Sequence, residues 1–136
     1  GGLYGNVIRI APPLTATLSP HPVHTDHRFL YHKTTARHVY DHARSLHPEA
    51  DDVLLQNQRG ELTEFTIGNL VINLDGQWLT PPVQSGLLDG AYRRRLLREG
   101  ILTERVLTPR NVTEATSIWL INSVRGWLPI TLLPPA

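Results

Sequence analysis

The chain has no cysteine, no methionine and one lysine among its 136 residues. Without thiols, neither a disulfide framework nor a thiolate metal centre can form. The missing methionine extends to position 1, where the chain opens Gly1-Gly2, as expected of a piece of a longer polypeptide. Apolar runs are short. None approaches the roughly 18 residues of a membrane span, and no secretory signal is visible, so a cytoplasmic protein is expected. Charge of either sign is scarce in excess: the formal net charge is +1, which argues against a nucleic-acid or membrane partner. There is no internal repeat and no low-complexity tract.

What remains is an ordinary globular composition, 40% apolar and 18% charged, in a length that suits one domain with one core. Residues 1–28 read as a strand-and-loop lead-in, with strands at Leu3–Ile10 and Leu14–Leu18 split by Pro12-Pro13. A helix is predicted from near Thr34, capped by Thr34 or Thr35. Val39, Ala43 and Leu46 form its apolar stripe, and Pro48 ends it. Val53–Asn57 reads as a strand that turns at Gln58-Arg59-Gly60. Residues 61–64, 69–74 and 77–80 follow as an antiparallel meander, with Asp75-Gly76 as a hairpin turn. A second helix is predicted over 90–99 and stopped by Gly100, then a strand over 101–107, a short helix over 109–115, and strands over 117–122 and 127–133. Strands outnumber helices and the two alternate, so the expected class is mixed α/β.

Four strings carry chemistry through their order. Leu30-Tyr31-His32-Lys33-Thr34-Thr35 leads into the first helix. About thirty residues later comes Gly60-Glu61-Leu62-Thr63-Glu64-Phe65-Thr66-Ile67-Gly68-Asn69. Leu87-Leu88-Asp89-Gly90-Ala91-Tyr92-Arg93 opens the second helix, and Ile118-Trp119-Leu120-Ile121-Asn122-Ser123-Val124-Arg125-Gly126 closes the series. In this order, from roughly Phe29 to Trp127, they resemble the carboxy-terminal domain of the class IV pyridoxal-phosphate enzymes. Within that family they are most similar to the 4-amino-4-deoxychorismate lyase branch, in the form fused behind a para-aminobenzoate synthase component. The resemblance implies a D-amino acid aminotransferase-like fold, with this chain as the larger pseudo-barrel domain. A smaller amino-terminal domain would precede it. The implied cofactor is pyridoxal 5'-phosphate, the implied assembly a homodimer, and the implied pathway folate biosynthesis.

The same resemblance assigns roles. Lys33 would be the catalytic amine that bonds the cofactor's aldehyde and shuttles the substrate proton. The other twelve basic residues are all arginine, which leaves no second candidate. Glu64 falls where the family places the carboxylate that keeps the pyridine nitrogen protonated. Spacing alone equally allows Glu61 and Glu64 to be solvated hairpin carboxylates. Gly90, Ala91 and Tyr92 fall at the helix start whose amides receive the cofactor phosphate. Many relatives carry threonine at the position of Tyr92, and an ordinary Gly N-cap is the alternative. Thr66 and Ser123 match positions that approach the cofactor. Ile67 and Gly68 stand where the aminotransferases often have serine. Asn122 and Arg125 lie in a loop that lines the substrate side, and Arg125 is a candidate for a substrate carboxylate, or else a surface arginine.

The implied reaction is the conversion of 4-amino-4-deoxychorismate to 4-aminobenzoate and pyruvate. The alternatives are a class IV aminotransferase of the branched-chain or D-amino acid type, and an inactive isolated domain. No metal site is expected. His21, His24, Asp26 and His27 crowd a Pro-containing loop without a partner motif, and His38 and His42 share a solvated helix face. The sequon Asn111-Val112-Thr113 has no secretion signal to give it meaning, and Arg93–Arg95 spread round a helix rather than forming a nucleic-acid patch.

Overall fold

The computed structural model describes residues 13–23 and 33–134 and, within the first helix, the side chains from Ala36 onward. The strand expected at Leu3–Ile10, the histidine loop beyond Val23 and the side chains of Lys33, Thr34 and Thr35 lie outside the described residues. Among the described residues there are eight strands: β1 (Leu14–Leu18), β2 (Asp52–Gln56), β3 (Leu62–Phe65), β4 (Asn69–Leu74), β5 (Gln77–Thr80), β6 (Thr103–Glu104), β7 (Ser117–Asn122) and β8 (Gly126–Leu132). Three α-helices accompany them among the same residues: α1 (Lys33–Ser45), α2 (Ala91–Arg98) and α3 (Pro109–Glu114). Among the described residues, no helix is long and apolar enough to cross a membrane.

The strands run in the order β3-β2-β1-β8-β7-β4-β5-β6, and β3 also pairs with β4. That extra pairing closes a circuit of six strands, leaving β5 and β6 as a flap beyond β4. β1 is parallel to both of its neighbours, β2 and β8. The pairs β2–β3, β4–β7 and β7–β8 are antiparallel. This is the mixed pseudo-barrel expected from the sequence.

Period-two alternation sorts the side chains. Leu54, Leu70, Ile72, Leu120 and Leu128 belong to one cluster with Ala16, Leu62 and Ile130, the main core. Their neighbours along the strands join different clusters. Val71 and Ile121 pack with Leu96 of α2, and Val53 and Leu55 with Ala43 of α1. β2 and β4 are thus covered on both faces, which explains their apolar runs Val53–Leu55 and Leu70–Ile72, while β3 is buried along its length although it carries Thr63 and Glu64. Beside α2, Trp78, Trp119 and Trp127 meet edge to face, with centroids 5.4 to 6.4 Å apart.

Asp75 (φ 52°) and Gly76 (φ 79°) both take the left-handed conformation that a two-residue hairpin requires, and they set the β4–β5 register Leu74↔Gln77. Three expectations need correction. Helix α1 already includes Lys33, Thr34 and Thr35, so it begins before its expected caps. Its buried stripe is Ala36, Tyr40 and Ala43, spaced i, i+4, i+7, whereas Leu46 follows the helix and is 44% exposed. The strand expected over 101–107 shrinks to Thr103–Glu104. Ile101 and Leu102 spend their amides on Leu96 O at the end of α2, and the Leu107 carbonyl accepts from Leu62 N–H. The segment therefore leaves the sheet edge to cross the barrel end.

Gly68 joins β3 to β4 in a place with no room for a side chain. A Cβ there would stand 2.5 Å from the Ile121 carbonyl oxygen and 2.5 Å from Leu120 Cδ2. Gly68→Ser should therefore lose about 1–3 kcal/mol in urea unfolding. Unchanged stability would mean that β4 and β7 separate more readily than their pairing implies.

Candidate active site

At the end of the barrel where β3 passes to β4, a cavity of about 550 Å³ opens between α1, the start of α2 and the turn after β7. Seven residues singled out in the sequence line it: Glu64, Thr66, Gly90, Ala91, Tyr92, Asn122 and Ser123. Lys33 is the first residue of α1, and its side chain is outside the described residues. Arg125 sits in the exposed β7–β8 turn and is not part of the cavity wall.

Glu64 reaches the cavity from the last turn of β3, where it pairs across the sheet with Asn69. It is only 6% exposed. The Tyr40 hydroxyl donates to its Oε2 at 2.7 Å, and the Leu88 N–H donates to its Oε1 at 3.3 Å. Burial pushes the Glu64 carboxyl up to about 8. The two hydrogen bonds pull the other way, and the nearby Asp52 charge adds to the rise. Tyr40 itself is pushed far above the ordinary phenol range, first by burial and then by the charge of Glu64. Among the described residues, no cation forms an ion pair with this acid.

The start of α2 is the second polar feature. Gly90 is its N-cap, extended at φ −63°, ψ 147°, and no side chain caps the helix. The first-turn amides have no intrahelical acceptor, and the helix dipole adds partial positive charge there. The approach is close: a Cβ on Gly90 would meet Asn69 Oδ1 at 2.5 Å, while Asn69 Nδ2 donates to the Leu88 carbonyl at 2.9 Å. One residue into the helix, Arg93 is buried. It donates to Asp89 at 2.8 Å, to the Pro81 carbonyl at 3.0 Å and to Glu104, fixing the helix start to the flap. The Tyr92 hydroxyl accepts from Trp127 Nε1 at 3.0 Å, which holds this ring toward the tryptophan cluster.

Thr66 and Asn122 shape the walls. Thr66 donates its hydroxyl to Asp52 Oδ1, a buried carboxylate whose own pKa is raised by desolvation. Asn122 donates to the Ile67 carbonyl at 3.0 Å and accepts from the Val124 and Arg125 amides at 3.1 and 2.8 Å. It thus ties the turn after β7 to the β3–β4 link. Ser123 stands exposed on that turn.

The sequence reading missed Arg37, Tyr40 and Arg44, which form the α1 wall of the cavity. The signal was present in their spacing. Positions 37, 40 and 44 follow the i, i+3, i+7 rhythm of one helix stripe, which shares Tyr40 with the apolar one. Arg44 is paired with Asp41 at 2.6 Å, and Arg37 has no ion pair with a described residue.

Among the described residues, a buried carboxylate without an ion pair and a helix start without a side-chain cap line one cavity. This donor set fits a pyridinium ring bearing a phosphate, and the closed circuit of strands that carries it defines a fold-type IV domain. The chain belongs to the class IV aminotransferase family, whose profile matches residues 7–133, and that family is pyridoxal-phosphate-dependent. It is 35% identical over 121 residues to a Schizosaccharomyces pombe protein provisionally named aminodeoxychorismate lyase, covering 83% of this chain and 52% of that one. A Mesorhizobium loti structure, provisionally described as an amino-acid aminotransferase, superposes with a TM-score of 0.84 at 35% identity. The match covers 91% of this chain and 61% of that one. A Legionella pneumophila structure, provisionally described as a 4-amino-4-deoxychorismate lyase, gives a TM-score of 0.73 at 25% identity, over 90% of this chain and 48% of that one. The chain therefore spans about half the length of the yeast relative.

The raised carboxyl has a thermodynamic consequence. Between the ordinary glutamate value of 4.5 and about 8, folded protein holds a proton on Glu64 that unfolded protein releases. The unfolded state thus binds fewer protons in that window, and stability falls as pH rises through it. Asp52, raised in the same direction, adds to the decline. Urea unfolding of cofactor-free protein at pH 5, 6.5 and 8 should show this loss, and Glu64→Gln should flatten most of it. An equally steep decline in the variant would assign the effect to other groups.

Proposed function

We propose that this chain is the cofactor-binding part of a pyridoxal-phosphate-dependent lyase that converts 4-amino-4-deoxychorismate to 4-aminobenzoate and pyruvate. The observation that carries the reading is the convergence of Glu64 and the Gly90-Ala91-Tyr92 helix start on one cavity. The lyase assignment draws further support from the yeast relative and from the likeness of the His32–Thr35 and Asn122–Gly126 strings to the lyase branch.

On this reading the first-turn amides of α2 receive the phosphate, and Glu64 faces the pyridine nitrogen. When bound, pyridoxal phosphate supplies an electron sink for the carbon that bears the substrate amine. Lys33 would hold the cofactor through its amine and would serve as the base at the carbon that bears the substrate amine. Glu64 keeps its charge opposite the ring cation. Arg37 and Arg44, with Arg125 on the neighbouring turn, offer guanidinium groups to the two substrate carboxylates. Loss of the proton and departure of pyruvate leave an aromatic ring, so the protein's task is to orient one C–H bond and exclude water. The family likeness also supports a homodimer in the cytoplasm, with a synthase component on the same polypeptide.

A second reading, an aminotransferase on the same cavity, is favoured by the Mesorhizobium structure. Borohydride reduction of protein loaded with pyridoxal phosphate, followed by peptide mass mapping, should place the adduct on Lys33. Supplied with 4-amino-4-deoxychorismate, the loaded protein should release pyruvate and 4-aminobenzoate in equal amounts, and Lys33→Ala should slow this at least about a hundredfold. Rapid glutamate formation from 2-oxoglutarate and an amino acid, without pyruvate release, would sink the lyase reading in favour of the aminotransferase. A folded, unreactive protein would identify an inactive isolated domain.

A further inference from the structure

We propose that Tyr40 is a positioning residue for Glu64, its hydroxyl fixing the orientation in which the carboxylate meets the ring nitrogen. This rests on the reading of Glu64 as the acid opposite that nitrogen. The two residues are 24 apart in sequence, stand on separate elements and both line the cavity. A glutamate χ3 is soft and roughly two-fold, so burial alone does not set the plane of the carboxylate. Here each oxygen has one donor: Tyr40 at 2.7 Å on Oε2 and the Leu88 amide at 3.3 Å on Oε1. The tyrosine bond is the shorter of the two. Each oxygen keeps further lone-pair capacity for a ligand.

The pairing also links elements. Tyr40 lies two turns along α1 from Lys33, so the bond connects the helix that begins with the lysine to the strand that carries the acid. Leu88 belongs to the segment leading into α2, so the second contact reaches the start of that helix. Several groups bear on Glu64 electrostatically. Tyr40 faces it from α1 and Asp52 from β2, while Arg37, Asp41 and Arg44 stand along the α1 wall of the same cavity. Of these, Tyr40 alone donates a side-chain hydrogen bond to Glu64 among the described residues. Its phenol stays protonated through the working pH range because its burial and the charge of Glu64 both oppose ionisation. It is therefore a permanent donor. The tyrosine ring packs against the cluster of Ala43, Val53 and Leu55, a contact that phenylalanine preserves.

The experiment compares wild type with Tyr40→Phe by carbon NMR titration of Glu64 in the cofactor-free full chain. A hydrogen bond to the charged form favours ionisation, so its loss should move the Glu64 midpoint upward by about one pH unit. Thermal melting of the two proteins checks that the fold is intact. Should Tyr40→Phe fail to fold, 3-fluorotyrosine at position 40, a stronger donor of nearly the same shape, should move the midpoint downward. An unshifted midpoint in either folded variant overturns the proposal. The borohydride adduct separates this from the functional reading. A shifted midpoint in protein that takes up no pyridoxal phosphate supports the positioning contact and defeats the cofactor assignment. An unshifted midpoint in protein that forms the adduct defeats the positioning contact alone.

Discussion

One edge of β4 is shared between two partners, and the architecture follows from that sharing. β5 occupies the edge at Ile72–Leu74, and β3 meets it only at the Glu64↔Asn69 pair. The circuit of six strands closes through this short seam. A full-length β3–β4 ladder would leave no edge for β5, and no pairing at all would open the barrel. The link between β3 and β4 must be tight, which explains why Gly68 passes against the Ile121 carbonyl with no space for a Cβ. Asn69, at the seam, also holds the Leu88 carbonyl and lies against Gly90. The geometry that closes the barrel thus brings the acid and the helix start to the same cavity.

The site concentrates uncompensated charge of opposite kinds. Glu64 and Asp52 are both buried, and each is shifted toward its neutral form mainly by desolvation. Their neighbours are hydroxyls and amides rather than cations. Arg93, the one buried guanidinium among the described residues, is committed elsewhere, to Asp89, Glu104 and the Pro81 carbonyl. Among the described residues neither carboxylate has a cationic hydrogen-bond partner, and the family to which the chain belongs is pyridoxal-phosphate-dependent.

The strands and turns were legible because local chemistry decides them. Asp75-Gly76 can only be a turn that accepts positive φ, and Pro109 opens a helix because its missing N–H costs nothing there. The edge segment 101–107 was misread because its alternation resembles a strand, whereas its amides serve the end of α2. Glu64, Thr66 and Gly90 were legible through the order of motifs, which carries family information that spacing does not. Tyr40 was not. Its meaning depends on a partner 24 residues away, and the helix stripe that presents it was assigned to Val39, Ala43 and Leu46 instead. Long-range polar pairs of this kind leave no local trace.

All three tryptophans of the chain belong to one edge-to-face cluster, and one of them, Trp127, bonds the hydroxyl of Tyr92 on the cavity wall. Their excited states are close enough to exchange energy, so the intrinsic ultraviolet emission of the protein arises from a single coupled chromophore. That emitter stands one hydrogen bond from the start of α2, so the indole emission carries an optical gauge of that end of the cavity.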